Sequence, residues 1–215
     1  MSTRIDHFMY AFPSLEAGTA WAESTFGVTP AYGGEHVGLG TRNTLLSLGS
    51  TYLEIIVPDP GQSLAGTCGE QLSTLADGGL VPWAAEGSLT DIAQTLQALH
   101  VKTVGPTRTE RNTAEGELLI WELLFPTGSP FGGRMPFFID WLACTNPRLT
   151  TPAGGTFERL TISTPDAKHL SEIFRSLDLE LAVTEGEPNL TVTVSTARGL
   201  VELTGTPETN ALWRR

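Results

Sequence analysis

The sequence predicts an α+β protein assembled from repeated β-α-β-β-β units, and three observations predict it. First, the chain of 215 residues carries 23 Gly, 14 Pro and only 17% charged side chains. That turn-rich, Thr-rich composition favours short strands and excludes a long coiled coil. Second, one order of elements recurs along the chain: a strand, an amphipathic helix and three further strand-like runs. Third, residues 5–12 with Pro13 and Ser14 can be laid without a gap over residues 157–164 with Pro165 and Asp166, and Leu53-Glu54 falls on Val201-Glu202.

In the first unit, residues 5–12 read as a strand and Pro13-Ser14 make the corner into a helix over 15–26, which Gly27 ends. After the Gly-rich stretch 33–40, strands are expected at 44–48 and 51–57, split by Gly49-Ser50 and stopped by Pro58. The second unit opens at 80–85 and turns at Gly87-Ser88. Its helix places Leu89, Ile92, Ala93, Leu96 and Leu99 at helical spacing, and Ser88 with Asp91 resembles a capping box. Strands follow at 102–108, 117–125 and 135–141. The third, shorter unit has a strand at 157–163 and a helix burying Leu170, Ile173, Phe174 and Leu177. Its remaining strands fall at 181–183, 190–195 and 200–203. The units span 1–58, 80–142 and 156–205, joined by loop-like connections over 59–79 and 145–155.

Thirteen basic against 24 acidic side chains leave a net charge of −11, and the few arginines do not cluster. A phosphate backbone or an anionic bilayer would be repelled, so neither nucleic acid nor membrane is an expected partner. No apolar run approaches the ~20 residues of a membrane span, and no basic leader precedes Arg4. A cytoplasmic protein is expected. Cys68 and Cys144 match no zinc-ribbon or CxxC spacing and read as two thiols. No GxSxG elbow, HExxH helix or Walker loop occurs, which disfavours those chemistries.

Four strings carry more specific information: His7 in the opening strand, His36-Val37-Gly38-Leu39-Gly40-Thr41-Arg42-Asn43, Tyr52-Leu53-Glu54-Ile55, and Pro136-Phe137-Phe138-Ile139-Asp140-Trp141. With these residues the chain resembles the glyoxalase-like group of the vicinal oxygen chelate superfamily over residues 5–141, and more weakly over 157–204. The resemblance implies βαβββ modules forming a cupped mixed sheet with helices outside, the third module added at an edge. It implies a site inside the cup, where first and fourth strands hold one divalent metal that chelates neighbouring oxygens of a small molecule. His7 and Glu54 match the ligand positions of the first module. In the second module the first strand offers no ligand and the fourth offers only Asp140, so the expected metal set is His7, Glu54 and Asp140, with Glu54 also moving a proton.

Around that centre His36, Arg42, Asn43, Tyr52, Trp121 and Phe138 are the expected ligand-binding residues, with Arg42 reading a carboxylate or phosphate. Glu54 stands out, since a carboxylate between Leu53 and Ile55 is costly to bury without a cation or donor. Two functions remain open on these residues. One is a metal-dependent lyase, isomerase or oxygenase acting on a small molecule with neighbouring oxygens. The other is a metal-free small-molecule binding protein of the drug-sequestering type. In the third module Arg159 falls on the His7 position, so a metal is not expected there, and an Arg159 to Glu202 ion pair is. A homodimer is expected to cover exposed edge strands.

Overall fold

In the computed structural model, residues 3–112, 116, 118–206, 208, 209 and 212 are described. Glu117, where one expected strand begins, lies outside them. The first unit is β1 (Arg4–Ala11), α1 (Leu15–Phe26), β2 (Ala31–His36), β3 (Thr41–Ser47) and β4 (Tyr52–Pro58). Ser14 caps α1 by accepting from the Ala17 N–H, and Gly27 closes it in the left-handed conformation, φ 74°, with its N–H on the Glu23 carbonyl. The Gly-rich stretch is strand as far as His36, then a tight turn returns the chain into Thr41.

A short helix, α2 (Cys68–Leu72), forms inside the connection that the sequence presents as loop. The second unit is β5 (Gly79–Glu86), α3 (Leu89–Ala98), β6 (Lys102–Asn112), β7 (Leu118–Thr127) and β8 (Phe137–Asp140). Ser88 accepts from the Asp91 N–H and caps α3, as the capping pair predicts. The third is β9 (Thr156–Thr164), α4 (Ala167–Ser176), β10 (Ala182–Glu185), β11 (Asn189–Thr196) and β12 (Gly199–Thr204). No disulfide joins Cys68 to Cys144, and no described helix is long and apolar enough to cross a membrane.

The first two units share an eight-stranded sheet in the order β2-β3-β4-β1-β5-β8-β7-β6. Each half repeats one pattern, the first strand lying parallel to the fourth, and the halves meet where β1 runs antiparallel to β5. The sheet curls until its two edges, β2 and β6, come into contact, which makes the expected cup. The third unit has the same element order but not the same strand order. It forms a separate sheet, β10-β9-β11-β12, in which the first strand lies beside the second and third instead of the fourth. Its match to the first unit is therefore one of sequence order and turn chemistry. Arg159 and Glu202 do meet, at 3.7 Å across β11, but both are more than half exposed and such a pair contributes little.

This third unit does not lengthen the cup's sheet. It packs face to face on the outer side, where Leu160, Ile162, Phe174 and Val192 join Phe8, Leu46, Leu53, Trp83 and Phe138 in one buried core. The outward alternation of β1, β4 and β8 feeds that core, because residues two apart on a strand share a face. Trp83 meets Phe174 edge to face at 6.1 Å, and Phe8 packs on Phe157 at 5.3 Å. Main-chain bonds from Phe157 to Leu48 and from Ser47 to Pro152 seat the start of the unit. The Arg198 guanidinium donates to the Ser24 carbonyl in the last turn of α1, where cations complement the helix dipole.

One shared core implies one cooperative unit. Phe174→Ala should lower stability by about 3 to 5 kcal/mol, measured by urea unfolding, with wild type and variant each unfolding in a single transition. Two separated transitions would show that the third unit folds independently of the cup.

Candidate functional site

The concave face is set by strand alternation. It presents His7 and Met9 from β1, Tyr52, Glu54 and Ile56 from β4, Thr41, Asn43 and Leu45 from β3, and Trp121 and Leu123 from β7. These line a cavity of about 860 Å³, within the range of small-molecule sites. The walls are uneven. The first half of the sheet supplies the polar groups, while β7 and β8 supply Trp121, Leu123, Phe125, Phe137 and Ile139.

At the polar wall three buried side chains form a chain. Asp6 is 1% exposed and His7 3%, and the His7 Nδ1 lies 2.7 Å from Asp6 Oδ2. Asp6 also accepts from Trp141 Nε1 at 3.2 Å and from Asn146 Nδ2 at 2.6 Å. Adjacent strand residues normally face opposite ways, but the register of β1 against β5 slips between Ile5 and His7. That bulge lets Asp6 and His7 meet. A carboxylate only accepts, so Asp6 fixes the His7 proton on Nδ1 and leaves Nε2 facing Glu54 Oε2 at 3.4 Å. Tyr52 stacks on the imidazole at 4.6 Å.

Glu54 is otherwise held by Asn43, whose Nδ2 donates to Oε1 at 2.9 Å. The same amide lies 3.2 Å from His36 Nε2, and His36 Nδ1 lies 2.9 Å from Thr41 Oγ1. An amide NH₂ can only donate, so His36 accepts at Nε2 and carries its proton on Nδ1. Burial lowers the His36 imidazole below its ordinary 6.5, Glu54 opposing and Arg111 assisting. Burial, reinforced by the charges of Asp6 and Glu54, raises the Tyr52 phenol well above its ordinary value, so it stays protonated at neutral pH.

Four expected residues, His7, Glu54, Asn43 and His36, thus converge, with Tyr52 and Trp121 beside them. Three do not. Phe138 and Asp140 share a face, as the period of two requires, but it is the outer one: Phe138 is fully buried in the outer core, and Asp140 accepts from the Leu142 N–H at 2.8 Å. The inner face of β8 carries Phe137 and Ile139 instead. Arg42 alternates with Thr41 and Asn43 and so points out of the cup, where its charge acts on Tyr32 and Asp59.

Two residues of the site were missed by sequence reasoning. Asp6 had a legible signal, an acidic residue next to a histidine in an apolar strand. Arg111 had none, since it arrives from β6, at the far edge of the sheet in strand order. It is 7% exposed and is drawn to the cavity by the curl that brings β6 onto β2. Burial lowers its guanidinium from the ordinary value, and the charge of Glu54 opposes that shift.

The expected metal can be judged against this donor set. A catalytic divalent ion takes about three protein ligands and keeps one open position. His7 Nε2 lies 3.4 Å from Glu54 Oε2, and His36 Nε2 lies 3.8 Å from Glu54 Oε1. His36 Nε2 is engaged by Asn43, Asp140 lies on the other face, and β5 and β8 line the cavity with apolar groups. Among the described residues no group of three His, Cys, Asp or Glu side chains is placed to hold a metal ion. The residues do not fit the metal as the resemblance places it.

A cup of two βαβββ halves closed round a buried polar cluster is the fold of the vicinal oxygen chelate superfamily. The model of the glyoxalase-like domain matches residues 5–177, and the chain belongs to that family. A hypothetical protein from Staphylococcus aureus is similar in structure over 94% of this chain and 88% of its own, with 17% identity and a TM-score of 0.66. A methylmalonyl-CoA epimerase in complex with methylmalonyl-CoA and NH4+ matches 68% of this chain and 100% of its own, with 19% identity and a TM-score of 0.49. A variant of the Streptomyces coelicolor methylmalonyl-CoA epimerase in complex with 2-nitronate-propionyl-CoA matches 66% and 97%, at 18% identity and 0.49. Curated proteins gave no match.

Two measurements check this description. Because folding disfavours the His36 proton, the unfolded chain takes it up first as pH falls, and stability present above about pH 6.5 is lost below it. Urea unfolding at pH 7.5 and 5.5 should therefore show a larger loss for wild type than for His36→Asn. An equal loss in both would remove His36 as the cause. Asp140→Ala should leave small-molecule binding in the cup unchanged within about twofold, by titration calorimetry, since the side chain lies on the other face.

Proposed function

We propose that the cup binds a small, partly apolar oxyacid or ketone and moves a proton on it, an isomerase- or lyase-type reaction with Glu54 as the proton-transferring group. The observation that carries this reading is the buried chain from Asp6 through His7 to Glu54. His7 Nε2 and Glu54 Oε2 are both acceptors, 3.4 Å apart. One proton held between them satisfies both, so the pair is suited to taking a proton from substrate carbon and giving it back. Asp6, itself satisfied by Trp141 and Asn146, stabilises His7 when that proton resides on the imidazole. The aromatic wall lowers the polarity around these groups, which strengthens each of these interactions.

The described donor set does not complete a metal site, so no step is assigned to a bound ion. A second reading rests on a specific observation, the apolar lining that β7 and β8 present to the cavity. On that reading the protein holds its ligand without turning it over.

Exchange of carbon-bound protons separates the two. In D₂O, NMR of 2-oxobutyrate, acetoacetate and phenylpyruvate should show deuterium entering the position next to the carbonyl of at least one compound, at a rate unaffected by EDTA. Glu54→Gln and His7→Ala should slow it by about 10² to 10⁴. Binding without exchange would leave the holding function, and a rate abolished by EDTA would restore the metal.

A further inference from the structure

We propose that Arg111 is the group that recognises the ligand's charged end, and that the ligand of the cup is a carboxylate with an apolar body. The inference deepens the reading above and rests on the cup being the ligand site.

Arg111 is buried at the rim where β6 meets β2. Its Nη1 has no hydrogen-bond partner, although it is shielded from solvent. Asn43 Oδ1, on the same side of the cavity, is likewise without one. Among the described residues no acidic side chain lies within ion-pair distance of Arg111. Glu54, the nearest in electrostatic effect, is already bonded to Asn43 and faces His7.

The space for this guanidinium is built in. A Cβ at Gly33 would stand 2.8 Å from Arg111 Nη1 and 2.1 Å from Asn43 Oδ1. Both groups can lie against β2 only because residue 33 has no side chain. A cation kept dry with an unused donor, in a cavity lined by ligand-sized apolar surface, is a site prepared for an anion.

A guanidinium presents parallel N–H donors that match the two oxygens of a carboxylate. The cavity of about 860 Å³ is far larger than that headgroup, and from the polar wall it runs past Met9, Val81 and Phe137. The remainder of the ligand is therefore apolar.

The test uses three acids with their primary amides as neutral partners: butyrate, octanoate and 4-phenylbutyrate. Binding is followed by the fluorescence of Trp121 and Trp141 and by calorimetry. The wild type should prefer at least one acid over its amide by about tenfold or more. Arg111→Met should erase that preference by weakening the acid about tenfold or more beyond any change in its amide, and Arg111→Lys, which keeps the charge, should retain part of it. Circular dichroism checks both variants, and Arg111→Lys alone decides the matter if Arg111→Met does not fold. Equal binding of acid and amide by the wild type, or a preference that survives in Arg111→Met, overturns the role of Arg111 while leaving the cup a ligand site. Failure of all six compounds to bind overturns both. Loss of proton exchange in the earlier experiment, with acid preference intact, removes the catalytic reading and leaves this one standing.

Discussion

The antiparallel pairing of β1 with β5 is the constraint on which the rest of the molecule depends. It is the ladder that joins the two four-stranded halves, so the curvature of the cup is set across it. The same pairing contains the slip that turns Asp6 toward His7. An unbroken ladder would send these neighbours to opposite faces and leave the imidazole without its orienting carboxylate. Architecture and chemistry therefore meet in a few residues of one strand. Thr51 reinforces the point from β4's side, its hydroxyl donating to the Asp6 carbonyl at 2.6 Å.

From this seam the two halves divide the work. The first half carries imidazole, carboxylate and amide; the second carries aromatic and aliphatic side chains. Each wall changes what the other can do. In water a histidine and a glutamate 3.4 Å apart would be solvated separately, whereas beside Phe137 and Trp121 they are held against each other by Asp6 and Asn43. Arg111 is a charged group contributed by the second half, and it reaches the first because the sheet curls back on itself.

What could be read from the sequence follows from which forces are local. Helix caps, turns and strand alternation are local, so most of the element order was legible, as was the common face of His7, Tyr52, Glu54 and Trp121, whereas β2 within the Gly-rich stretch and the short α2 were not. Strand order is not local. The third unit repeats the element order of the first and yet pairs its strands differently, because its first strand takes its neighbours from packing against the outer core. The face of a strand is also a global property. Phe138 and Asp140 were correctly placed together, but the polar residue was taken to mark the cup, when on this half the cup is the apolar side and the outer side is covered by α3 and the third unit. Arg42 fails for the same reason one strand over. Arg111 lies 57 positions beyond Glu54 in the chain, and only the closing curvature makes them neighbours.

The contact between β2 and β6 has a mechanical side. These strands touch without sharing a ladder, the sheet order running from one to the other by way of all six strands between them. Side chains, with Arg111 laid against Gly33, fill the join. Parting them breaks no backbone hydrogen bond between strands, while any other cut through the cup breaks a full ladder. The wall of the cup thus has one line along which its edges meet by side chains alone, opposite the hydrogen-bonded seam at β1 and β5 that acts as its spine.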